Sequence, residues 1–345
     1  MSPKNLLSPK KPFIWLFVSA AVLFLFMVSL FFAPNIFVEN TEDTYLYIPD
    51  NSTLEDVYTN LQSSANVLSV FTFKTTAKLL NYKKIRAGRY ELKNGMNNFT
   101  LVRMLRNGRQ TPLKLTFNNI RTKEQLAGRL SKVIMADSLS ILQQMNDSAY
   151  LADLGFNPNT SIAIFIPNTY EVFWDLDARE LIERMHKEYT KFWTDERKSK
   201  AAAIPLSPVE VATLASIVEE ETNNKAERPM VAGLYINRLK TEMPLQADPT
   251  LKFAAGDFSI KRLKLEHILK ISPYNTYRNK GLPPGPIRVA SENGIDAVLN
   301  FAKHDYLFMC AKETLNGEHN FAVTYTEHQA NARRYQKALD ALKIN

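Results

Sequence analysis

Twenty-two consecutive residues near the N-terminus, Pro12 to Ala33, carry no charged side chain and are dominated by Phe, Leu and Val. No other feature restricts the fold so strongly. As a helix the run would rise about 33 Å, enough to cross the ~30 Å hydrocarbon core of a bilayer. Lys4, Lys10 and Lys11 precede it without any acidic residue, and Glu39, Glu42 and Asp43 follow it. The positive-inside rule therefore predicts a cytoplasmic tail over 1–11 and a transmembrane anchor over 12–33. Everything beyond lies outside the cytoplasm, in a single-pass protein of the cell (inner) membrane. A cleaved signal peptide is the rival reading; the run is long for one, and no clear Ala-x-Ala site follows.

The rest of the 345-residue chain is long enough for one large or two ordinary domains with real cores. Apolar content of 45% and charged content of 23% are those of a globular protein. The net charge of +8 and pI near 9.3 point to an anionic partner. Lys and Arg are dispersed, however, and no nucleic-acid-binding signature occurs, so nucleic acid is not expected. The single cysteine, Cys310, sits in an apolar run and reads as a buried thiol; no disulfide framework exists.

From Thr44 to Arg109 the pattern is strand, helix, helix, strand, helix. Tyr45–Ile48 and Gly88–Leu92 are the strands. Ser52 or Thr53 caps the first helix, a second covers about Val67–Leu80, and Asn98 caps a third that ends at Asn107-Gly108. The module, 44–110, mixes Lys83, Lys84, Arg86, Arg89, Arg103, Arg106 and Arg109 with Tyr82 and Tyr90. Such a mixture would suit an anionic sugar polymer, and equally an ordinary solvated surface.

In 111–345, Thr111–Phe117 reads as a strand and Thr122–Tyr150 as helices. Ile164–Ile166 reads as an apolar strand, and Asp177-x-x-Glu180 is a capping box. Leu245–Thr250 is a polar loop. Ser272–Tyr277 and Gly281–Pro286 form a long proline-stiffened loop pair of the kind that carries function. Tyr306–Ala311 and Asn320–Tyr325 flank Asn316-Gly317 as a hairpin, and Thr326 caps a last helix to about Lys343.

One helix stands out. Ser207, Pro208 and Glu210 give N-cap, first helical position and capping box, and the helix runs to about Thr222 through Val211, Leu214, Ala215 and Val218. It ends in Glu219-Glu220-Glu221. At 100° per residue Glu221 stays at the edge of the apolar stripe, Glu219 lies on the opposite flank and Glu220 points to solvent. A carboxylate on a half-buried face has the raised pKa a general acid needs. Taken alone, the simpler account is a solvated acidic cluster.

Other chemistries find no support. The five histidines lack metal-ligand spacing, and one cysteine cannot build a thiolate site. No nucleophile elbow, P-loop or dinucleotide fingerprint occurs. No metal or cofactor is expected. What remains is carboxylate chemistry beside loops rich in Tyr, Asn, Gln and Pro, a combination suited to sugars; Glu219 or Asp248 would be the second carboxylate of a hydrolase.

Five segments in register carry a resemblance. They are Ala215–Thr222, Asn237-Arg238-Leu239, Leu245-Gln246-x-Asp248-Pro249-Thr250, Tyr274–Tyr277 and Gly281–Ile287. Together they resemble the endolytic murein transglycosylases, the YceG-like family, over essentially the whole chain beyond the anchor. The resemblance implies an α+β fold: a single N-terminal transmembrane helix, a small LysM-like α/β module and a larger α+β catalytic domain. It implies a lytic transglycosylase, a carbon–oxygen lyase cutting between N-acetylmuramic acid and N-acetylglucosamine to leave 1,6-anhydromuramyl ends. Glu221 would be the catalytic residue. Glu219, Gln246, Asp248, Asn275 and Tyr277 would be substrate-binding, with loop scaffolding as the alternative for each loop residue and a salt bridge for Glu219. Asn237 and Arg238 lean to a structural role. Implied partners are peptidoglycan glycan strands, the membrane and peptidoglycan synthases. A membrane-anchored peptidoglycan-binding scaffold with little turnover is the alternative. One departure is Asn168, where the family commonly has Asp; a role requiring charge there is in doubt.

Overall fold

The structure, a computed structural model, describes residues 11–39 and 44–341. Most of the predicted tail, Glu42 and Asp43, and the end of the last helix lie outside the described residues. The chain divides into two compact units, the first comprising 1–114 with 171–175 and the second the remainder.

In the first unit, α1 (Lys11–Phe32) is long and apolar enough to cross a membrane. Then come β1 (Pro34–Phe37), β2 (Thr44–Ile48), α2 (Leu54–Ser64), β3 (Asn66–Val67), α3 (Val70–Leu79), β4 (Gly88–Leu92), β5 (Met96–Asn97) and α4 (Asn98–Asn107). The antiparallel pair β2–β4, in register from Thr44↔Leu92 to Ile48↔Gly88, is the expected strand pair enclosing two helices. A second small sheet has the order β3-β1-β5. Thr53 and Asp56 form a reciprocal cap on α2, Ser69 caps α3, and Gly108 in the left-handed region ends α4. The core gathers Ile36, Leu46, Val57, Phe73, Leu101 and Leu105. Tyr82 and Tyr90 belong to that core, so neither forms the basic–aromatic surface that their sequence neighbourhood offers. Arg86 and Arg106 donate to the backbone carbonyls of Arg106 and Leu80.

The second unit is mainly helical. Strands β6 (Leu113–Thr116) and β7 (Thr169–Val172) each fall partly in both units; α5 (Lys123–Leu130), α6 (Ser138–Asn146) and α7 (Ser148–Asp153) lie between them in sequence, and α8 (Ala178–Phe192) and α9 (Asp195–Ala203) come after. α10 (Pro208–Glu221), α11 (Arg228–Lys240), α12 (Asp248–Ala255), α13 (Leu265–Leu269) and α14 (Glu292–Leu299) follow, then β8 (Phe308–Ala311), β9 (His319–Ala322) and α15 (Tyr325–Ala341). α10 is the hub, packed against α9, α11, α12 and α14, and every residue from Val211 to Glu219 is buried. A single apolar stripe understates it, because the small residues Ala212, Thr213, Ala215 and Ser216 let neighbours close on all sides.

Several boundaries differ from the sequence reading. Ile164–Ile166 is not a strand: Ser161–Ile164 is a buried 3-10 turn and the strand starts after Asn168. Its apolar character reflects burial, which periodicity in so short a run cannot separate from pairing. The Asp248-Pro249 pair opens α12 rather than lying in a loop, with Pro in the first turn. Thr324, not Thr326, caps α15: its hydroxyl accepts from Glu327 N, and the Glu327 carboxylate accepts from Thr324 N.

Candidate active site

The end of α10 places three carboxylates in three directions. Its start is fixed as the sequence predicts, with Ser207 Oγ accepting from Glu210 N and Glu210 Oε2 from Ser207 N. Glu219 is 3% exposed and turned inward, its Oε1 2.8 Å from Arg228 and its Oε2 accepting from Ser291 N at 2.9 Å. The Ser291 hydroxyl donates to it as well, and Gly294 of α14 leaves it room, since a Cβ there would lie 2.7 Å from Glu219 Cδ. Glu219 therefore does not line the cleft; the salt-bridge alternative is the one realised. Glu220 is not solvent-facing either. It accepts a bidentate pair from Arg121 at 3.0 and 2.9 Å and another bond from Arg288 at 3.0 Å.

Glu221 alone faces an open cleft of about 380 Å³. The Tyr235 hydroxyl, on the buried face of α11, donates to Glu221 Oε1 at 2.8 Å. Withdrawal from water pushes the Glu221 pKa up to about 7; the tyrosine hydrogen bond opposes this, and the nearby Asp248 carboxylate reinforces it. At neutral pH the group is thus divided between acid and base forms. Arg238 completes the wall but is held by backbone, donating to Leu307 O at 2.7 Å and Leu245 O at 2.6 Å. Asn237 likewise donates to His304 O and Tyr306 O, a structural role.

The loop motifs are stitched to one another. Thr250 and Thr276 hydroxyls meet at 2.8 Å, and Gln246 N and Ala247 N donate to Thr276 O and Oγ1. This brings Gln246, Asp248 and Tyr277 into the cleft, with Tyr277 Oη donating to Asp248 Oδ1 at 2.5 Å. Gln246 is held at φ +48, a region costly for a residue with a Cβ. Asn275 is fully buried: its Nδ2 donates to Ile268 O and Lys270 O, and its Oδ1 accepts from Tyr277 N. It holds the loop and cannot reach a ligand in the cleft. Ser216 of α10 accepts from Ile287 N at 3.0 Å, tying down the proline-rich loop. Asn168 accepts from Thr169 N and is exposed.

These motifs in these positions match known proteins. The model of the YceG-like family covers residues 46–334. The chain belongs to the YceG-like family. An endolytic murein transglycosylase of Bacillus subtilis is 30% identical over 84% of this chain and 83% of its own length. Another, of Streptococcus pneumoniae, is 26% identical over 84% of this chain, which spans 57% of that longer protein. The crystal structure of a YceG-like protein from Listeria monocytogenes superposes with a TM-score of 0.56 at 29% identity, covering 84% of this chain and 99% of that one.

Sequence reasoning alone missed part of this YceG-like site. Tyr235 was hidden inside the apolar face of α11. Phe308, Cys310, His319, Tyr325 and His328 form a wall from β8, β9 and α15. Cys310 is half-buried there rather than sealed in the core, and burial raises its thiol pKa. The hairpin was legible, but its position beside Glu221 was not. Among the described residues no cluster of His, Cys, Asp or Glu is arranged to hold a metal ion.

Proposed function

We propose that this chain is an endolytic peptidoglycan lytic transglycosylase, with Glu221 as its one acid–base group. The carrying observation is that Glu221, alone of the three acids at the end of α10, faces the cleft, oriented by Tyr235 and with its pKa pushed up to about 7. As the acid, Glu221 protonates the glycosidic oxygen between N-acetylmuramic acid and N-acetylglucosamine, and the C1–O bond breaks with oxocarbenium character. The carboxylate so formed takes the proton of the muramyl C6 hydroxyl while O6 bonds to C1. The product is a 1,6-anhydro end, Glu221 returns to its starting form, and water takes no part.

The neighbours fit this division of labour. Asp248, fixed by Tyr277, offers negative charge to the carbon that becomes positive. Gln246 and Tyr277 present hydrogen-bonding groups to a polar sugar. α1 serves as a single-pass anchor with the remaining chain on the outer side, and the small unit, with its strand–helix–helix–strand order, as a LysM-like glycan-holding module. Peptidoglycan synthases are partners expected of an enzyme acting on newly made strands.

The test is mass spectrometry of peptidoglycan treated with the wild-type protein and with Glu221→Gln. Anhydromuramyl-ended fragments from the wild type, falling by ~10³-fold or more in the variant, are expected for loss of a general acid–base group. Reducing ends would identify a hydrolase instead. Binding without fragments from either protein would identify a scaffold.

A further inference from the structure

We infer that the face of the small unit around the end of α1 is seated in the lipid interface, with Leu68 and Phe71 inserted among headgroups and upper acyl chains. This rests on the reading of α1 as a membrane anchor and goes beyond it.

The first observation is continuity between the apolar surface of α1 and the small unit. Leu30 is only 3% exposed because the small unit encloses it. Phe32, half a turn further on, is 54% exposed, so the lipid-facing surface of α1 continues past the point where the unit closes on the helix.

The second is how α1 ends. Its last carbonyls have no helical partners, and in lipid an unsatisfied carbonyl is costly. The unit supplies donors: Leu30 O accepts from Thr76 Oγ1 at 3.2 Å and from Asn98 Nδ2 at 3.1 Å. Asn35, two residues beyond Ala33, donates to Asn98 Oδ1 at 2.8 Å and to Ser69 O, and accepts from Ser69 N. This buried network makes anchor and unit one rigid piece at this point, with no linker between them.

The third is what surrounds that junction. Leu68 N donates to Asn35 O, and Leu68 is 65% exposed; Phe71, in the first turn of α3, is 69% exposed. Phe99 packs 5.2 Å from Phe32, and the Arg103 guanidinium lies 5.3 Å from the Phe99 ring. Large apolar side chains exposed beside a membrane exit, edged by a cation able to meet a phosphate, are the composition of an interfacial surface. In water the same residues would be a liability.

The test uses the full chain reconstituted in vesicles of phosphatidylethanolamine and phosphatidylglycerol. A nitroxide is attached to one introduced cysteine at a time, in a Cys310→Ser background: Leu68→Cys, Phe71→Cys, Val22→Cys within α1, and Asp50→Cys in the turn between β2 and α2. Collision with oxygen, which partitions into lipid, is compared with collision with a water-soluble nickel chelate. The oxygen-to-chelate ratio is expected to be highest at 22, raised at 68 and 71, and low at 50. A high ratio at 22 with ratios at 68 and 71 no higher than at 50 overturns the interfacial seating and leaves the anchor intact. A low ratio at 22 overturns the anchor reading itself. Protection of 68 and 71 from both reagents would mean that protein covers them, which also refutes the proposal.

Discussion

Glu219 and Glu220 on one side of the α10 terminus, and Glu221 on the other, are the same residue type in consecutive positions with opposite surroundings. The first two meet guanidinium groups, with Arg228 and Arg288 around Glu219 and Arg121 and Arg288 around Glu220. The third meets a neutral hydroxyl and another carboxylate, with Arg238 and Lys252 acting on it only from beyond ion-pair distance. A buried carboxylate matched by arginine is a structural strut; one left without a matching cation beside a cleft is a reagent. The helix supplies the direction of each side chain, and the neighbouring elements supply its chemistry.

The strongest way to break this contrast is to remove a strut. Arg228→Met leaves Glu219 buried with its closest cation gone, and a loss of about 3 kcal/mol is expected, measured by denaturant unfolding. If stability were unchanged, Glu219 would not be a paired internal charge.

The reagent side predicts the opposite sign. The folded-state pKa of Glu221 lies above its unfolded value, so folding binds an extra proton and stability falls as pH rises from about 4.5 to about 7. Glu221→Gln removes that cost. It should be neutral at pH 4 and more stable than wild type above pH 7, by on the order of 2 kcal/mol. Thermal unfolding across this pH range reads the difference; equal stability at both ends would place Glu221 among the struts.

Tyr235→Phe sharpens the contrast from within the cleft. The lost hydrogen bond favoured the carboxylate, so the Glu221 pKa should rise further. The alkaline limb of the cleavage profile, where the acid form is lost, should then move to higher pH. Below that limb the rate should fall by about tenfold or less, the equivalent of one hydrogen bond. An unmoved limb would mean that another group titrates. The smallest effect is expected for Glu220→Gln. One partner, Arg121, is 41% exposed, and the glutamine keeps an accepting oxygen for Arg288, so the loss should be roughly 1 kcal/mol or less. Cleavage should be retained because Glu220 does not reach the cleft.

Much of this was readable without coordinates because it depends on short-range rules. The apolar run before Pro34, the cap at Ser207 and the strand pair around α2 and α3 follow from hydropathy, capping and turn chemistry, each acting over a few residues. The loops converging on Glu221 were legible only as a set of motifs. The threonines that join them, Thr250 and Thr276, are 26 residues apart, beyond any local periodicity. Gln246 and Asn275 show the limit well: both are polar loop residues, yet one lines the cleft and the other is buried, a difference set by which carbonyls lie within reach.

By itself, then, the sequence determined a membrane-length helix, a small mixed unit, a larger unit beyond it and a helix that ends in three acids. Capping, hydropathy and helical phase are local. Only the tertiary structure decided that Glu219 and Glu220 are matched by arginines from α11 and from the segments beside α5 and α14, while Glu221 is left to Tyr235 in the cleft. The physical reason is that a carboxylate's charge state follows from what surrounds it, and those surroundings are brought together from as far as 99 residues away in the chain.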